Sequence, residues 1–170
     1  MRPLVFNSTP LIYLSKVGLS GIIENLQEEK VTSPLVKFEV VDRGKQKGVL
    51  DAIALEKLFE TGVFKLCKPK DKLFLSRLST SRGLHAADAE VLALAQEHAG
   101  LAVIDDEVAR KTAKVYKISY VGTSYILARA VFEGYLSKEQ AKAAVKNMVS
   151  SGWRCNVETY VKIIELIDKL

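Results

Sequence analysis

The stretch from Leu84 to Arg110, LHAADAEVLALAQEHAGLAVIDDEVAR, constrains the fold more than any other part of the chain. An acidic helix start (Asp88, Glu90) leads into an apolar helix, a tight turn at Gly100 and a short buried strand, Leu101–Ile104. That strand ends abruptly on Asp105 and Asp106, and a new helix follows. In an open α/β sheet, ligands gather outside the carboxyl ends of the strands. Like charges converging there are costly unless a cation compensates them. A metal site is therefore expected, provided that other parts of the chain deliver further ligands.

Composition narrows the class. A chain of 170 residues is long enough to bury a sizeable core, and a single domain over 1–170 is the natural expectation, with a helical C-terminal portion from about residue 124 to 170. With 48% hydrophobic and 26% charged residues it matches an ordinary soluble globular protein. The net charge of +5 suits an anionic partner such as RNA, although a solvated basic surface would give the same figure. No apolar run reaches the length of a signal peptide or membrane span, so a cytoplasmic protein with no membrane partner is expected. Cys67 and Cys155 are too few and too distant for a disulfide framework or a zinc site.

Elsewhere, strand and helix signals alternate. Leu4–Phe6 is too brief for a helix and reads as a buried strand. It stops at Asn7-Ser8-Thr9-Pro10, where Ser8 or Thr9 suits an N-cap and Pro10 the first helical position. A strand is expected near Val31-Thr32, and Ser33-Pro34 repeats the cap-then-proline signal. On the helix that follows, Glu39 falls on the stripe of Leu35 and Val36, at its margin or pointed into a site. Arg43–Gly48 reads as a basic break, Asp51–Thr61 as a helix, Val63–Leu66 as a strand and Leu73–Leu78 as the start of a helix. Beyond the central stretch come a helix over Glu107–Val115, a strand over Ile118–Val121 ending at Gly122-Thr123, and a helix from Tyr125. Ser137 with Gln140 marks a capping box, and Val157–Ile167 a terminal helix. The alternation implies a mainly parallel sheet with helices on both faces, a three-layer α/β/α sandwich.

Polar groups thus collect at strand ends or helix starts in four places: Asn7, Glu39, Asp88 with Glu90, and Asp105 with Asp106. Hard cations such as Mg2+ and Mn2+ take oxygen ligands, and such a site acidifies a water and offsets charge on a phosphoryl group. Singly, each residue has an ordinary structural role: helix-dipole acids at Asp88 and Glu90, an N-cap at Asp105 or Asp106, an Asp106–Arg110 pair, turn chemistry at Asn7. If they converge, they should titrate as a coupled group, with at least one pKa raised when no metal is bound.

Val5-Phe-Asn-Ser-Thr-Pro-Leu-Ile12, Ser33-Pro-Leu-Val-Lys-Phe-Glu39, His85-Ala-Ala-Asp-Ala-Glu90 and Ile104-Asp-Asp-Glu-Val-Ala-Arg110 together resemble PIN-domain proteins of the VapC-like kind. Val121-Gly-Thr-Ser124 and the tail around Ser150-Ser-Gly-Trp153 resemble one largely prokaryotic branch of that group. The resemblance implies a PIN-like fold and a ribonuclease site in which carboxylates hold Mg2+ or Mn2+, often in a toxin restrained by a cognate antitoxin-type protein. Carried over by position, the first-strand acid falls on Asn7, the helix acid on Glu39, and the next on Glu90 with Asp88 as an additional acid. The last falls on Asp106 or its neighbour Asp105. Thr123, Ser8 and Arg110 are the polar residues placed to meet substrate. The first-strand position is usually aspartate, so Asn7 removes one negative charge and should weaken a hard cation's hold. Two functions follow: an active metal-dependent ribonuclease, or a degenerate domain that binds RNA or protein without cleaving. The apolar faces of the terminal helices would also suit a homodimer.

Overall fold

The strands of this chain are too short to be stable alone, and their burial makes up for it. In the computed structural model, which describes residues 1–170, β1 (Leu4–Phe6) is buried at every position and sits at the centre of a five-stranded sheet. The other strands are β2 (Lys30–Thr32), β3 (Phe64–Leu66), β4 (Leu101–Val103) and β5 (Tyr120–Val121). Their order is β3-β2-β1-β4-β5, and every pair is parallel. The chain builds outward from β1 in one direction, then returns to add β4 on the other side. The gap between the carboxyl ends of β1 and β4 is thus the switch point, where open sheets hold ligands. Register aligns Phe6 with Val103, so Asn7 and the Asp105-Asp106 pair leave the sheet side by side.

Helices cover the sheet as α/β/α layers. The apolar helix expected in the central stretch is α7 (Ala86–Glu97), which packs on β1, β2 and β4. Its Val91, Leu92 and Leu94 join Leu4, Phe6, Val103 and Ile104 in the main hydrophobic core. β5 is followed by three helices: α9 (Thr123–Phe132), α10 (Lys138–Ser150), which carries the expected Ser137–Gln140 capping box, and α11 (Val157–Lys169). No helix is long and apolar enough to cross a membrane. Cys67 and Cys155 are both free thiols.

Three local expectations need correction. The first helix, α1 (Ser8–Lys16), is capped by Asn7, not by Ser8 or Thr9. Pro10 is its third residue, still within the turn whose N–H groups lack intrahelical partners, so the missing donor costs little. The basic segment Arg43–Gly48 breaks only at its end: the turn falls at Lys47 and Gly48, while helix continues through Arg43–Gln46. Gly44 permits this: a Cβ there would lie 2.7 Å from that of Ala52 on the helix Asp51–Glu60. Thr123 opens α9 instead of ending a strand.

Candidate active site

The site is built outward from Asn7, the first residue past β1. Its Oδ1 accepts from the Ser8 N–H at 2.8 Å, and its Nδ2 donates to Asp88 Oδ1 at 2.5 Å. Both residues are buried. Asp88 reaches this point because α7 starts beside the sheet's carboxyl edge. Its other oxygen accepts the His85 N–H at 3.1 Å, which fixes the helix start. Ser8 turns the other way and donates from Oγ to Glu39 Oε2 at 2.5 Å. Glu39 lies where the helix begun at Pro34–Lys37 widens to a π-helical turn over Phe38–Asp42, a distortion often found at functional sites.

Across the switch point, Asp105 and Asp106 have different tasks. Asp106 caps α8 (Glu107–Val115), its Oδ1 accepting from the Ala109 N–H at 2.9 Å. Asp105 spends both oxygens on protein donors. Oδ1 accepts from the Thr123 N–H at 2.9 Å and from Arg110 Nη2 at 3.1 Å, and Oδ2 from Thr123 Oγ1 at 2.6 Å and Trp153 Nε1 at 2.9 Å. Arg110 pairs with Asp105, therefore, and not with Asp106 as its helical spacing implies. Gly122 leaves room for this clamp, since a Cβ there would fall on Arg110 Nη2 and lie 3.0 Å from Asp105 Oδ1.

The electrostatics agree with the convergence. Burial is the main cause that lifts the Asp88 pKa above the usual aspartate value, and the nearby Asp106 charge adds to it. The hydrogen bonds from Asn7 and His85 pull the other way and only partly offset it. Hydrogen bonds thus join Asn7 to Asp88 and Ser8 to Glu39, the Asp106 charge reaches Asp88, and Asp105, Thr123 and Arg110 form the adjoining clamp. Glu90 lies two residues along α7 from Asp88, and its Oε2 is buried without a hydrogen-bond partner. Of the two helix acids, Asp88 is the one bonded to Asn7.

A cavity of about 630 Å3 opens on the far side of Asp106. Thr9 and Tyr13 of α1, Arg110 of α8, and Arg154 and Asn156 from the turn before α11 line it. Sequence patterns pointed to Arg110 and to the tail around Trp153, but not to Tyr13, Arg154 or Asn156 as parts of one wall with them. Arg154 carries no motif, and the Trp153–Asp105 bond joins residues 48 apart.

In donor chemistry the set fits a hard divalent cation: Glu39, Asp88 and Asp106 offer only oxygen, and Glu90 holds an orphaned oxygen nearby in sequence. In spacing, no three His, Cys, Asp or Glu side chains stand close enough to hold a metal ion. Asp88 is held by two protein donors, Asn7 Nδ2 and the His85 N–H.

The all-parallel sheet, with its switch point between β1 and β4, is that of an α/β/α sandwich of the nuclease type. The chain belongs to the PIN domain family: the family model of that description matches residues 3–169, almost its whole length. PIN domains generally use divalent metal ions and commonly bind RNA. No curated protein matches the chain.

Proposed function

We propose that this PIN domain is a metal-dependent endoribonuclease of the VapC-like kind, with Glu39, Asp88 and Asp106 at its centre. What supports it is membership of the PIN domain family together with Asn7 and Asp106 leaving the sheet at its switch point, Asp88 bonded to Asn7 and Glu39 bonded to Ser8. Glu39, Asp88, Asp106 and Glu90 are the residues that would hold Mg2+ or Mn2+ if drawn closer together than they stand here, and the ion would supply Lewis acidity toward water and a phosphoryl oxygen. The chain's own contribution is orientation. Glu39 Oε1 and Asp106 Oδ2 are acid oxygens that accept no protein hydrogen bond, and so can receive the proton of an attacking water. Asp105 holds Arg110 and Thr123 in place beside them. The cavity next to Asp106 has the volume of a small-molecule site and takes the nucleotide beside the scissile phosphate, with Arg154 at its rim.

Single-stranded RNA incubated with the full chain and Mn2+ is the direct test. Cleavage should stop in EDTA and fall on the order of 100-fold or more in Asp106→Asn. Cleavage that persists unchanged in that variant belongs to a contaminant or to another site.

The second reading, a domain that binds RNA or protein without cleaving, is favoured by the Asn7–Asp88 hydrogen bond, which occupies Asp88 with a neutral donor. It predicts RNA retention in EDTA and no products with any divalent ion. In either reading a partner such as a cognate antitoxin-type protein or a second copy would find apolar surface on α11, where Val157, Val161 and Leu166 are exposed.

A further inference from the structure

Asn7 separates this site from an all-carboxylate one, and its geometry assigns it a specific part. The two ends of the amide face partners of opposite sense: Oδ1 accepts from the Ser8 N–H, and Nδ2 donates to Asp88 Oδ1. Exchanging the two atoms would set an oxygen against a carboxylate and an NH2 against an N–H, so the partners fix the orientation. The oxygen that could ligate a cation is thus turned toward the backbone of α1. The group facing Asp88 is a proton donor, which no cation can use. A divalent ion at Asp88 Oδ1 would sit against the positive end of this N–H group, which repels it.

We propose that Asn7 is a competitor of the cation and not its ligand. The amide and a divalent ion exclude one another at Asp88, so the acidic pocket is satisfied without an ion and an ion enters only by displacing the amide. The inference rests on the metal-dependent reading above but alters what Asn7 does in it. An aspartate at position 7 would have no proton to donate at neutral pH. It would leave Asp88 without that partner and add a charge, and both changes favour a cation.

The test is binding of Mn2+ alone to the full chain, measured by titration calorimetry for wild type, Asn7→Ala and Asn7→Asp, with thermal melts in EDTA and in Mn2+. Asn7→Asp should bind Mn2+ about tenfold or more tightly than wild type. It should also melt lower than wild type in EDTA and recover in Mn2+. Asn7→Ala should bind at least as tightly as wild type, although it has lost an oxygen. A loss of affinity in Asn7→Ala would make Asn7 a ligand and overturn the proposal, while metal-dependent cleavage could still stand. Asn7→Asp binding no more tightly than wild type would overturn it as well. If none of the three binds Mn2+, the proposal and the metal-dependent reading fall together. Should Asn7→Ala not fold, Asn7→Ser keeps a capping oxygen without the amide, and the same two outcomes apply to it.

Discussion

Asp88 is the residue on which the site's opposing forces meet. Burial and the Asp106 charge raise its pKa, while Asn7 and His85 lower it by donating to its charged form. Because the folded-state value lies above the unfolded one, the folded chain binds the extra proton. Stability contributed by this group is therefore greatest in acid and declines as pH rises from the ordinary aspartate range through the raised value, after which the loss is constant. Each unit of upward displacement is worth about 1.4 kcal/mol. Wild type and Asp88→Asn should accordingly differ least at low pH, with wild type losing ground as pH rises through that window. Carboxyl NMR gives the independent check: Asp88 should titrate above the usual aspartates, and higher still in Asn7→Ala, which removes a bond that favours the charged form. An ordinary Asp88 titration in the metal-free chain would show that the acids do not press on one another.

At the scale of elements, neighbouring residues of one chemical type are put to different ends. Asp105 ties the end of β4 to the start of α9, to α8 through Arg110 and to the turn after α10 through Trp153. Asp106 caps a helix and borders the cavity. Asparagine caps helices as well as aspartate does, so Asp106→Asn should change stability by less than about 0.5 kcal/mol. Asp105→Ala strands several donors at once and should cost roughly 3 kcal/mol. Gly122→Ala should cost about 1–3 kcal/mol by crowding the same clamp. Chemical denaturation of the three variants settles the order; a fully stable Asp105→Ala would deny Asp105 its tying role.

The same contrast marks how far the sequence is legible. The strand ends at Asn7 and Asp105, the capping box at Ser137 and the helix over Glu107–Val115 all follow from local chemistry, and the structure has them. Local chemistry could not assign the α1 cap, because Asn7, Ser8 and Thr9 are all capable of it and a distant acid, Glu39, decides by engaging Ser8. Nor could it divide labour between Asp105 and Asp106, or choose Asp88 over Glu90 as the partner of Asn7. Those choices depend on partners as far as 81 residues away.

Across the whole molecule, long-range polar ties complement the apolar core. Arg129 on α9 donates to Glu28, 101 residues earlier in the loop before β2, and also to Glu133 and Tyr125. Burial alone would push the Glu28 carboxyl up. The Arg129 hydrogen bond and charge, with the residue's own backbone amide, outweigh burial and hold it below its ordinary value. Removing one partner of such a pair leaves the other buried and unmatched, so Arg129→Ala should destabilise the chain by roughly 3 kcal/mol. The loss seen in thermal melts should shrink in acid, where Glu28 is protonated. An undiminished loss at low pH would assign Arg129's contribution to packing instead.

The chain contains one tryptophan, and its indole N–H donates to Asp105, which with Asp106 and the tryptophan itself borders the cavity. Its emission colour and quenching thus come from a single place: the seam where the C-terminal helices close over the sheet's edge. An ion, a strand of RNA or a protein partner arriving there would be recorded optically by the native protein, with no label attached.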